Sequence, residues 1–171
     1  MKQFVVMLLV CIGLVATPAM AETQKIGYVD LQKALNLSSA GKEAKEKIKA
    51  KVQTYDAEVR ERQEELKKLK DDLEKQAMLL SEEARNAKER DYQQKVKDYQ
   101  RFTKDIQETL QQTDADLTRK ILESLLKVVQ EVGKSEGYTL VLEKTESSIV
   151  YADESIDISD EVIKAFDKLG Q

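Results

Sequence analysis

From Ile48 to Leu80 the chain carries a repeat that leaves few folds open. Positions 48, 52, 55, 59, 62, 66, 69, 73, 76 and 80 follow alternating steps of four and three, and eight of the ten are Ile, Val, Tyr or Leu. A stripe recurring every 3.5 residues is the seam of a helix that packs lengthwise on another helix. Arg62 and Gln76 interrupt it with polar ends that can lie along the surface. With 35% charged and 5% aromatic residues, the chain suits long helices better than a thick globular core.

The partner helix is expected within the same chain. Ser81 can cap a new helix through its hydroxyl, and Glu82 and Glu83 suit the positive end of that helix. Beyond them Ala84, Ala87, Tyr92, Val96, Tyr99, Thr103, Ile106, Leu110, Thr113, Leu117, Ile121, Leu125, Val128 and Val132 recur mostly at three and four, until Gly137 offers a C-cap. Residues 41–80 make an arm of about 60 Å, and 82–121 return the same distance. The spacing therefore predicts an antiparallel hairpin arm over 41–121 with its tip at 80–82. One continuous helix is the alternative, since no proline or glycine separates the halves.

The flanks read differently. Lys25–Val29, Tyr138–Leu142 and Ser148–Tyr151 are short β-type runs that can share one sheet, and Ser159 is placed to cap a last helix with Val162, Ile163, Phe166 and Leu169 as its apolar stripe. The fold class is mainly α with a small β body: a long coiled-coil hairpin projecting from a short-stranded oligomerisation sheet, plus a C-terminal helix. The body is discontinuous, over 22–40 and 122–171. So small a core rarely stands alone. A homo-oligomer closed through the sheet is expected, with Ile26, Tyr28, Val29, Leu140, Leu142, Ile149 and Tyr151 as candidate assembly residues.

Residues 1–21 read as a cleaved export leader, with Lys2, an apolar run from Phe4 to Val15, and Pro18-Ala19-Met20-Ala21 as the cleavage site. The apolar run is short for a membrane anchor. Cys11 lies inside it and leaves with it. The remaining chain has no cysteine, histidine or tryptophan, which excludes disulfides, thiol nucleophiles, imidazole bases and His or Cys metal sites. Without Lys2 it has 27 basic and 32 acidic residues, a net charge of −5, and no overall basic field for nucleic acid or strong membrane binding. Its glycines, at 27, 41, 133, 137 and 170, form no phosphate-cradling loop. No cofactor, metal or catalytic residue is expected. An enzyme would have to work with Asp30, Glu143, Asp153 and Asp157, which suit turns and strand ends.

Four framing segments, Lys25-Ile26-Gly27-Tyr28-Val29-Asp30, Gly137-Tyr138-Thr139-Leu140-Val141-Leu142-Glu143, Ile149-Val150-Tyr151 and Asp157-Ile158-Ser159-Asp160-Glu161-Val162, carry a family resemblance. With the charged hairpin between them, the chain resembles the OmpH-like family of periplasmic chaperones over residues 25–169. The resemblance implies a homotrimer whose small β body bears three helical arms. These would hold unfolded outer-membrane β-barrel proteins between them without ATP. Well-known members are strongly basic and this chain is acidic, so electrostatic capture of clients or lipopolysaccharide is not carried over.

A holdase works through many weak, reversible contacts. Candidate client contacts are Met78, Leu79 and Leu80 near the tip and Phe102 beside the seam. The rival reading of the same pattern is a periplasmic coiled-coil spacer or adaptor. Separately, the four residues can be read as packing alone, with Leu80 in the seam, Met78 and Leu79 folded over the tip and Phe102 broadening the seam.

Overall fold

The computed structural model of the protein describes residues 24–76 and 78–170; the expected leader lies outside them. Strand β1 (Ile26–Val29), helix α1 (Leu31–Leu37), helix α2 (Ser39–Gln76), helix α3 (Glu82–Ser135), strand β2 (Leu140–Glu143), a 3-10 turn (Glu154–Ile156) and helix α4 (Ser159–Leu169) follow in order.

The chain enters its arm through a tight corner. Asp30 caps α1 by accepting the Lys33 N–H at 2.7 Å. At Ser38 the backbone turns extended, ending α1, and the buried Ser38 hydroxyl accepts the Gly41 N–H at 3.2 Å to start α2. Gly41 is the one residue that fits there, because a Cβ on it would sit 1.7 Å from the Leu35 carbonyl oxygen.

Helix α2 runs 38 residues and α3 runs 54, so the single continuous helix is not formed. The turn between them is held by the Gln76 carbonyl, which accepts the N–H groups of Leu79 and Leu80. Ser81 then caps α3, its hydroxyl accepting the Ala84 N–H at 3.3 Å, with Glu82 and Glu83 in the first turn. Four cross-arm contacts fix the antiparallel register: Lys51 to Thr113, Gln63 to Tyr99, Glu65 to Lys95 and Gln76 to Lys88. Each pair is centred between residues 80 and 82, so one register runs the whole arm. The seam positions lie half-buried along it, apart from Val52, Arg62 and Ala87, which are exposed.

Both interruptions in the α2 seam reach across the arm. The Arg62 guanidinium lies 4.0 Å from the centre of the Phe102 ring, and the Gln76 side-chain oxygen accepts a hydrogen bond from Lys88.

Burial changes sharply at the arm's foot. Among the described residues none from 42 to 120 is buried, whereas Ile121, Leu125, Val128 and Val132 on α3 all are. Their spacing of three and four presents one face to Val29, Ala34, Ile158 and Val162, which complete the core. Helix α3 ends in a Schellman turn: Gly137 takes a φ of 72°, and the Tyr138 N–H reaches back to the Gly133 carbonyl at 2.8 Å.

Strand β2 pairs parallel with β1, Ile26 opposite Leu140 through Val29 opposite Glu143. Parallel strands require a long crossover, and here the crossover contains the whole arm. The third strand expected over Ser148–Tyr151 does not form. A turn after β2 and a positive φ of 52° at Ser148 carry that segment away from the sheet. Residue 157 makes a single parallel bridge to Tyr28 instead, with the Ile158 N–H donating to the Tyr28 carbonyl at 2.9 Å.

The expected Ser159 cap is likewise corrected. Ser159 is the first residue of α4; its hydroxyl accepts the Asp30 N–H at 2.8 Å, while its own N–H is taken by Asp157. Val162 is buried and Ile163 and Phe166 are half-buried as a stripe predicts, but Leu169 is 68% exposed.

Gly41→Ala is expected to destabilise the protein by about 2–3 kcal/mol or more, because the backbone carbonyl of Leu35 cannot move aside without breaking the corner. A urea titration followed by helical circular dichroism measures it.

Candidate binding surfaces

The arm tip presents free apolar surface. Met78 is 99% and Leu79 85% exposed, both in the turn between α2 and α3. Leu80 is half-buried as the last seam residue, and Phe102 is half-buried beneath Arg62. Of the four candidate client contacts, the structure thus brings Met78 and Leu79 together at one point and packs Leu80 and Phe102 into the hairpin. Of the nearby cations, Lys70 pairs with Glu74, Arg85 with Glu89 and Lys88 with Gln76, so the tip is an apolar point on a mixed-charge stem.

The second surface follows from strand alternation. Val29 and Val141 belong to the face turned toward α3, Val29 in the core and Val141 packed against it. The opposite face pairs Ile26 with Leu140 and Tyr28 with Leu142, so it too is apolar. Ile26 and Leu140 remain 41% and 46% exposed there. Tyr28 is covered from the side by the chain around Ile149–Glu154, across a cleft of about 280 Å³ that Lys144 also lines. On that flap Val150 is wholly exposed and Tyr151 84% exposed.

Ile26, Tyr28, Leu140, Leu142, Ile149 and Tyr151 therefore share one side of the body, while Val29 is 2% exposed inside the chain's own core. Sequence reasoning missed Val150, whose signal was its place in the same β-type run. It also missed the role of Arg62, legible once the hairpin is centred on Ser81, since that register sets residue 62 against the Phe102 region.

The four acids considered for chemistry are each engaged with backbone. Asp30 caps α1 and lies 3.6 Å from Lys144; Glu143 accepts the N–H groups of Leu31 and Glu146. Asp153 accepts the Ser155 N–H at 2.9 Å and Asp157 the Ser159 N–H at 2.8 Å. Asp30 and Glu143 reach across the body, Asp153 and Asp157 each hold their own turn, and the four do not line one cleft. Lys33 adds a tie to Asp160 at 2.7 Å, and Asp167 accepts the Ser39 N–H at 2.8 Å. Around the apolar core, the carboxylates of Glu143, Asp160 and Asp167 thus join residues 31–39 to residues 143–167.

Asp157 and Lys33 titrate away from their ordinary values. Partial burial acts to raise the Asp157 pKa, but hydrogen bonds from Ser159 and the charges of Lys33 and Lys144 outweigh it and hold it below the usual carboxylate value. The Lys33 ammonium is held above its usual value by its hydrogen bond to Asp160.

A profile of the family described as Outer membrane protein (OmpH-like) matches residues 25–166. No curated protein sequence matches the chain. Among solved structures, the chain is similar to one from Caulobacter crescentus CB15 described as a candidate outer membrane chaperone (OmpH-like). The two share 19% identity and a TM-score of 0.80, covering 85% of each chain.

A folded-state pKa below the unfolded one stabilises the protein at neutral pH and loses that contribution as pH falls through the folded value. Thermal stability should accordingly decline as pH drops below about 4. Asp157→Asn should flatten part of that decline, as calorimetry across pH 3 to 7, on the order of unit steps, would show.

Proposed function

Since the chain belongs to the OmpH-like family, we propose that it is an ATP-independent periplasmic holdase that keeps unfolded outer-membrane β-barrel proteins from aggregating, working as a homotrimer. The observation that carries this reading is the separation of two apolar surfaces by the length of an arm. The outer sheet face suits self-association, and the Met78–Leu79 tip, about 60 Å away, suits transient contact with apolar client segments.

The chemistry of the tip fits a binder of many sequences. Methionine and leucine offer adaptable apolar area without directional bonds, and methionine re-forms itself around varied partners. A single arm gives a weak contact, and several arms on one body give avidity while each contact remains reversible. The mixed-charge stem keeps a complex with unfolded protein in solution. The lack of buried residues among those described between 42 and 120 supports arms that adjust to clients of different size.

Residues 22–171 are expected to have the native mass of a trimer by light scattering and to suppress, without nucleotide, the aggregation of a β-barrel diluted from urea. Ile26→Asp with Leu140→Asp should dissociate the assembly. Met78→Ser with Leu79→Ser should leave the assembly and its melting temperature intact while reducing suppression several-fold. An oligomer that leaves several unrelated barrels to aggregate, yet binds one folded protein at fixed stoichiometry, would favour the spacer or adaptor instead. A monomeric wild-type chain would contradict the trimer.

A further inference from the structure

We propose that Met78 is a redox-modification site, at which peroxide converts the thioether to a sulfoxide and switches off the apolar tip, reversibly. The inference rests on the reading of the tip as a client contact and adds a regulation to it.

Three observations converge on the residue. Met78 is 99% exposed, so an oxidant reaches its sulfur without any opening of the fold. It is the only sulfur-bearing residue from Glu22 onward, since Cys11, Met1, Met7 and Met20 all precede it. It lies in the turn between α2 and α3, beside the 85% exposed Leu79 and outside both helices. Oxidation there alters a contact surface without disturbing the core at Leu125 and Val162.

The step balances with a peroxide as the named oxidant. The Met78 sulfur attacks one peroxide oxygen, and the O–O bond breaks as the S–O bond forms. The departing hydroxide takes the proton from the new S–OH and leaves as water. Sulfur loses two electrons and the peroxide gains them. Reversal needs two thiols, supplied by a methionine sulfoxide reductase, which end as a disulfide while the oxygen leaves as water. The product is a polar, chiral side chain where the reading requires an apolar, adaptable one. Because several arms act together, a modest loss at each tip multiplies in the assembly.

The test uses residues 22–171 treated with hydrogen peroxide. Intact mass should show one added oxygen per chain, peptide mass should place it on Met78, and its rate should approach that of free methionine. Helicity and melting temperature should not move. Suppression of barrel aggregation should fall roughly fivefold or more and recover with the two epimer-specific reductases. Met78→Gln, a polar stand-in, should match the oxidised protein, and Met78→Leu should lose nothing further on peroxide treatment, whatever its starting level.

A Met78 that resists oxidation overturns the inference, and so does an oxidised chain that holds barrels as well as the untreated one. In that second case the client reading survives. If the untreated chain holds no barrel at all, the client reading itself fails and takes this inference with it.

Discussion

Parallel pairing of Ile26–Val29 with Leu140–Glu143 is the constraint on which the rest of the molecule depends. Parallel neighbours cannot be joined by a tight turn, so everything between them must leave the body and come back. The return is made by two helices whose feet are set rigidly side by side. One foot is the Ser38–Gly41 corner; the other is the run of α3 from Ile121 to Val132, closed by the turn at Gly137. Apolar burial is concentrated at that junction, with Leu125 and Val162 fully enclosed. The carboxylate ties from Glu143, Asp160 and Asp167 to residues 31–39 then bind the C-terminal segment to the first corner.

The arm is built on different physics. Its seam side chains face a single partner helix and remain half in water, so each contributes only part of its transfer free energy. Register is held by polar reach across the seam, as in Arg62 over Phe102, Gln63 to Tyr99 and Glu65 to Lys95. Exposed pairs of this kind contribute little to stability and more to alignment. A firm body with an aligned but lightly buried arm is the arrangement that the proposed holdase reading requires. No described helix is long and apolar enough to cross a membrane.

What the sequence made legible was decided locally. The 3.5-residue period of the seam, the Ser81 hydroxyl with its two glutamates and the glycine at 137 all act within a few residues, and the helices, the turn and the Schellman motif follow them. What it hid was decided by competition at long range. Ser159 has the chemistry of a cap, but its hydroxyl is taken by the Asp30 N–H, 129 residues away. Ile149–Tyr151 has the composition of a strand, but the turn after β2 and the positive φ at Ser148 carry it away from the sheet. Val29 reads like its neighbours Ile26 and Tyr28 until pairing fixes which face turns inward; alternation then sends it to the core and leaves Ile26 outside.

The most direct test of a firm body carrying yielding, client-contacting arms is amide hydrogen exchange on residues 22–171, alone and with an unfolded β-barrel protein. The account predicts slow exchange over 121–132 in both states. Over 45–115 it predicts faster exchange that slows on client addition, most strongly next to the tip. Equal protection along arm and body in the free protein, or a client footprint confined to residues 138–169, would contradict it.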